Sequence, residues 1–315
     1  MTRASIEAKA SSYRRRRLLA STAILWAICC SAPAQANDEC GTGTVVICDI
    51  GDSAAYFDDF DTGITYDPVA DLTLIVAGDV EIVPTSGIEG IDIQSSGGSV
   101  HVTLEAGSSI VTTGFLTEGI FIRSAYDVTI DGTVSIDSSG TSILVDQSID
   151  DILVSLSSST LSAGQSNVLV DRTDAGDVIV DVTYSDLTAS FGGINVDRTY
   201  SGDVDITMRH STLSVDYFGL LVGRTYDGDV RLQIEDSTVT SSDIAVLASH
   251  TGGNVEIFLT GGTAIISGSY AVSVTQTSGS AHVYCHRSRR RRQPRGRIRR
   301  STWAGCLPSR FGPPS

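Results

Sequence analysis

Over most of its length the chain is short of positive charge. Residues 37–284 contain no lysine and six arginines against 36 Asp and Glu, a net of −30. A field of that sign repels phosphate backbones, so nucleic acid is excluded as a partner of this stretch, and acidic polysaccharides are disfavoured. No apolar run here approaches the roughly 20 residues of a membrane-spanning helix. The mature chain is therefore expected to have no membrane span.

Motifs for metals and cofactors are also missing. Cys40 and Cys48 stand in "DECGTGTVVICDI" without zinc-site spacing and without a nearby His. The glycine-rich nonapeptide that binds Ca²⁺ in β-rolls does not occur. His101, His210, His250 and His282 share no spacing. No cofactor is expected.

Positive charge is gathered at the two ends. Residues 1–36 hold Arg3, Lys9 and Arg14 to Arg17 against Glu7. The apolar stretch "LLASTAILWAICC" and the small-residue site "AQA" at Ala34–Ala36 follow. This order reads as a secretory signal peptide over 1–36, with an uncleaved anchor as the alternative. Export places the chain in an oxidising compartment. Cys40 and Cys48 then become candidates for a local disulfide, two free thiols being the alternative.

Between the ends the chain repeats itself. "VLVDRTDAGDVIV", "INVDRTYSGDVDI" and "LLVGRTYDGDVRL" succeed one another at an interval of 26 residues. Within one copy, apolar residues alternate in three bursts: Ile194 and Val196, then Val204, Ile206 and Met208, then Leu213 and Val215. Turn-forming residues separate the bursts. Alternation in short runs means strands with one buried face. With looser turns the pattern covers residues 91–284 as seven copies and a partial eighth. Residues 37–90 contain strand-like pieces without clean register, read as a cap and irregular first coils.

Three strands per coil of about 26 residues, repeated in register, predict an all-β, right-handed parallel β-helix. Strands then pair with their counterparts one coil away, about 4.8 Å distant. A two-sheet sandwich is the competing architecture. Equivalent residues stack, so Arg172, Arg198 and Arg224 form one ladder and Asp177, Asp203 and Asp229 another. Both are read as repeat-turn structure, because Gly-Asp supplies turn conformations readily. The arginines are expected to neutralise Asp171 and Asp197, with Tyr200 stacked on Tyr226. The alternative for the aspartates is a Ca²⁺ ladder.

Parallel β-helices include enzymes that act on polysaccharides. Asn195-Val196-Asp197 matches an "NxD" fragment, and Asp58-Asp59 and Asp150-Asp151 are paired. Against this stand the absence of a His-Gly pair and of lysine in the mature chain. A carbohydrate-active lyase or hydrolase remains the alternative to a non-catalytic protein.

A signal peptide, "CGTGTVVICDI" soon after it, and Ser/Thr/Gly/Asp-rich coils almost free of lysine together resemble the passenger domain of a bacterial autotransporter (type V secretion). The resemblance covers roughly residues 1–284. It implies an exported, non-catalytic passenger at the cell surface or outside the cell, acting in adhesion or display toward a host or surface ligand. It also implies a C-terminal transmembrane β-barrel. The sequence ends "RFGPPS" without one, which predicts a truncated passenger, periplasmic or secreted.

Residues 285–315 carry ten arginines and no acid. The change occurs part-way through a coil, as if the gene were read out of frame. The alternative is a genuine basic tail for nucleic acid, anionic lipid or the acidic body. Either way the tail is expected to be disordered. It would leave the last coil edge open to self-association.

Overall fold

A computed structural model describes residues 35–36, 40–49, 63–123, 125–275 and 277–285. Residues up to 34, most of the segment read above as a signal peptide, and the basic stretch from residue 286 lie outside the described residues, as do Asp58 and Asp59. The described chain is all-β, without a helix. It forms a parallel β-helix of about nine turns, with about 26 residues per turn.

One coil shows the plan. Gly192–Thr199 forms a first face, Val204–Arg209 a second and Thr212–Val215 a third. Each strand pairs in parallel with its counterpart on the coils before and after. On the first face Val168, Ile194, Leu220, Val246 and Val272 are successive register partners. On the second, Val180, Ile206 and Leu232 are. On the third, Leu161, Leu187, Leu213 and Val239 are.

The reason is the side-chain period of two. Every second residue points inward, and stacking puts like on like. Ile194, Val196, Val204, Ile206, Met208, Leu213 and Val215 are all buried. Removing each such side chain from water contributes about 1.5–3 kcal/mol. A fourfold stack of a single equivalent position is thus a column of continuous apolar contact along the axis.

Regular pairing begins earlier than residue 91. Ile64–Asp67, Leu72–Val76 and Glu81–Ile82 pair with the next coil at Ile64↔Ile91, Leu72↔Val100 and Glu81↔Ser109. Residues 64–82 are therefore a full coil, not an irregular one. Their turns differ in length from later ones, which hid the period. Ahead of them, Val45–Cys48 pairs with Leu72–Val76 on the second face. Gln35–Ala36 pairs antiparallel with Tyr66 and Asp67.

The corner between the second and third faces holds a left-handed residue in successive coils of the clear repeat. Ser158, Tyr184, His210 and Asp236 take this role at φ of 52°, 52°, 49° and 47°. Gly132 serves the same corner at φ 137°, where a Cβ would lie 1.9 Å from the Leu104 carbonyl oxygen. No residue but glycine fits there.

Directly after each left-handed residue comes a buried serine: Ser159, Ser185, Ser211 and Ser237. The N–H groups of Ser159, Ser185 and Ser211 each donate to the serine Oγ one coil later, all at 3.0 Å. The Oγ atoms of Ser185, Ser211 and Ser237 donate in turn to the carbonyls of Thr183, Arg209 and Glu235. Buried N–H groups at a bend are thereby satisfied by a column of hydroxyls.

Candidate functional site

The corner between the first and second faces carries most of the residues singled out by the sequence. Asp151, Asp177, Asp203, Asp229 and Asn254 stack there. Asp151 Oδ1 accepts the Asp177 N–H at 2.7 Å. Asp177, Asp203 and Asp229 accept the N–H groups of Asp203, Asp229 and Asn254, each at 2.8 Å. Asn254 Oδ1 continues the chain to the Ser280 N–H at 3.0 Å. Each carboxylate thus holds the backbone of the following coil through a charge-assisted bond. Mutual repulsion along the ladder is eased by these N–H dipoles.

Arg172, Arg198 and Arg224 are register partners, as Arg172↔Arg198 and Arg198↔Arg224. They occupy the next-to-last position of the strands Ser166–Thr173, Gly192–Thr199 and Phe218–Thr225. The arginines are therefore strand residues at the rim of the corner, and the turn itself belongs to the aspartates.

Their ion pairs differ from coil to coil. Arg198 Nε lies 3.4 Å from Asp197 Oδ2. Arg172 Nε lies 2.8 Å from Asp174 Oδ1, and not against Asp171. Asp174 stands two residues further on, where the turn begins and reaches back over the strand end. In the following coils that position is Tyr200 and Tyr226. Their rings stack at 4.9 Å and 5°, and the Arg172 guanidinium sits 5.0 Å from the Tyr200 ring centre. Asp171 is held above the usual carboxylate range by partial burial, with Arg198 pulling it down and Asp197 and Asp146 adding to the rise.

Asp150 and Asp151 share this corner with Asp127, one ligand oxygen from each lying within 4.8 Å of the others. Asp150 is raised by desolvation and by Asp151 and Asp127. All three carboxylates are exposed.

On the second face an acid–guanidinium network crosses three coils. Arg209 reaches Asp181 at 3.3 Å and Glu235 at 3.6 Å. Asp205 beside it is raised by burial, against the pull of Arg231. Asn195, from the "NxD" fragment, is buried on the outer side of the first face and donates to Ser166 Oγ at 3.0 Å. Its register partners are Leu169 and Leu221, so it stands in a column of side chains and not in a cleft.

At the N-terminal end Cys40 and Cys48 form a disulfide with a Cα–Cα distance of 4.8 Å. It closes the loop leading into Val45–Cys48. The serine column was missed by sequence reasoning. Its signal was available, since Ser159, Ser185, Ser211 and Ser237 recur at 26 residues.

No protein-family model matches the chain. No curated protein and no solved structure matches it either. The β-helix is compatible with an autotransporter passenger, and membership of that family has no sequence or family support.

Proposed function

We propose that this chain is an exported, non-catalytic β-helical passenger of an autotransporter-like protein, acting in adhesion or display. The observation that carries the reading is the continuous first-corner ladder. Its carboxylates are engaged one by one with the backbone of the next coil, so they serve to tie successive coils together. A long, stiff, acidic body with repetitive outward columns suits a protein that presents surface. The basic, apolar and small-residue order of residues 1–36 supports export.

The test is expression of the full chain in a Gram-negative host, followed by fractionation and mass determination of the N-terminus. The expected product starts at Asn37 and lies in the periplasm, the medium or the outer surface. A cytoplasmic product that keeps residues 1–36 would sink the export reading.

A further inference from the structure

The corner between the third and first faces differs from the other two. A shallow groove of about 300 Å³ opens there, lined by Ser162, Thr188, Ser190, Ser214 and Asp216 among others. Ser162, Thr188 and Ser214 are register partners on consecutive coils, so the groove runs along the helix axis. At the other corners, serine hydroxyls and aspartate carboxylates are engaged with backbone N–H groups. In this groove the hydroxyls of Ser162, Ser190 and Ser214 and the carboxylate of Asp216 make no hydrogen bond among the described residues. Their hydrogen-bonding capacity is open to solvent or to a ligand.

Aromatic residues directly follow two of the lining residues. Phe191 follows Ser190, and Tyr217 follows Asp216. The two rings are 5.3 Å apart and tilted by 36°, and Phe218 meets Phe191 edge-on at 6.0 Å. Phe191 is 47% exposed and Tyr217 51% exposed. The neighbouring coils place Gln165 and Asp243 at this point of the corner, so the aromatic pair is local to the groove and is not a repeat feature.

The chemistry of an occupant follows from these groups. Exposed rings take the C–H face of an apolar or half-apolar ring. Free hydroxyls and one carboxylate take hydroxyl donors and acceptors. A few polar groups beside an aromatic surface is the usual composition of a small-molecule site. An added peptide strand is disfavoured, because the backbone groups of these strands already pair with the coils on both sides. An anionic chain is disfavoured by Asp216 and by the net −30 of the body. Rungs recur about every 4.8 Å, so a linear sugar chain laid along the axis meets a fresh hydroxyl at each coil.

We propose that the third corner across residues 162–217 binds a neutral polysaccharide. Phe191 and Tyr217 form the stacking platform, and Ser190, Ser214 and Asp216 bond the sugar hydroxyls. The proposal rests on the non-catalytic binding part of the proposed function and not on export.

Affinity electrophoresis of the purified exported chain tests it, with dextran, laminarin and galactomannan as neutral probes. Polygalacturonate and an oligo-lysine peptide serve as charged ones. At least one neutral polysaccharide should retard the protein, and the double variant Phe191→Ala/Tyr217→Ala should weaken that retardation at least about tenfold. Tyr226→Ala, which removes an exposed ring at another corner, should leave it unchanged. Thermal melts of all variants should match the parent, since these rings lie outside the core. The proposal is overturned if no neutral probe retards the chain. It is equally overturned if the double variant is retarded like the parent, or if oligo-lysine or polygalacturonate is bound in preference. Shortening of the probe during the assay would overturn the non-catalytic reading separately.

Discussion

The first and second corners of each coil flank the same second-face strands and meet the same need with different groups. Both must satisfy backbone N–H groups where the chain bends. At the first corner a half-buried or exposed aspartate accepts from the coil after it, as Asp177 does from Asp203. At the second a buried serine accepts from the coil before it, as Ser211 does from Ser185. Every coil is thus tied forward at one corner and backward at the other. Beneath the aspartates a second contrast appears. Thr173, Thr199, Thr225 and Thr251 stack in the interior, and their Oγ1 atoms are buried without a hydrogen-bond partner. The serine hydroxyls are fully used and the threonine hydroxyls are not. The serine at the second corner satisfies a buried N–H, whereas water can reach the aspartate bond at the first.

The severest test removes what both corners depend on. Ile206 lies between them with no exposure, stacked on Val180 and Leu232. Ile206→Asp buries a carboxylate with no partner, at a cost of roughly 4 kcal/mol or more. Neighbouring coils lean on one another, so the loss should spread along the helix. Far-UV circular dichroism and thermal melting should both show it. A melt coincident with the parent would reverse the inward assignment of the second face.

A direct comparison of the corners comes next. Ser211→Ala leaves the Ser185 N–H buried and unsatisfied, which costs about 1–3 kcal/mol. Asp203→Ala removes the acceptor for the Asp229 N–H at an exposed site, where water replaces it. That loss should stay below about 1 kcal/mol. Chemical denaturation of the two variants gives the order. If Asp203→Ala proves the costlier change, the ladder of charge-assisted bonds governs the corner and burial does not.

The inward columns and the three faces were legible in advance because alternation and the 26-residue interval report the same geometry twice. Val204, Ile206 and Met208 could hardly point anywhere else once the repeat was seen. The coil over 64–82 was not legible, since unequal turns broke the interval while leaving the strand register intact. The serine column shows a different limit. Its spacing was in plain view, but serine is a common turn residue. Its role depends on the left-handed residue before it, where Ser158, Tyr184, His210 and Asp236 share no chemical signature. The pairing of Arg172 with Asp174 was hidden because neutralisation was sought one residue back along the strand, and the turn reached over instead. The groove was not read, although Phe191 and Tyr217 stand 26 residues apart, because the interval says that two rings are neighbours and not that a hollow opens beside them.

The threonine column offers an inverse prediction. Thr199→Val keeps the shape of the side chain and removes a hydroxyl that has no partner. Relieving an unsatisfied buried hydroxyl should stabilise the protein by about 1 kcal/mol, opposite in sign to Ser211→Ala. Denaturation midpoints measured side by side decide the matter. A loss of stability would mean that the threonine hydroxyls are bonded in solution and that the two corners are alike.

The smallest effect separates the corners by pH. The second corner is tied by serines, which do not titrate in the working range. Around the first corner and on the outer faces, Asp92, Glu118, Asp171 and Asp205 all have folded pKa values above their ordinary ones of 3.8 for Asp and 4.5 for Glu, with burial as the leading cause. A carboxyl raised in this way favours the folded state when protonated. Its contribution is fully present below the unfolded value and is lost as pH rises through the folded value. Moving from about pH 7.5 to about pH 4.5 should therefore raise the melting temperature at constant salt, reducing the self-repulsion of the acidic body as well. Asp205→Asn, which leaves the side chain half-buried and neutral, should raise the melting temperature at the higher pH and flatten the slope. Ser211→Ala should shift the whole curve down without changing its slope. A melting temperature that falls steadily on acidification would show that carboxylates bonded to backbone N–H groups, and not the partly buried ones, set the pH dependence of the fold.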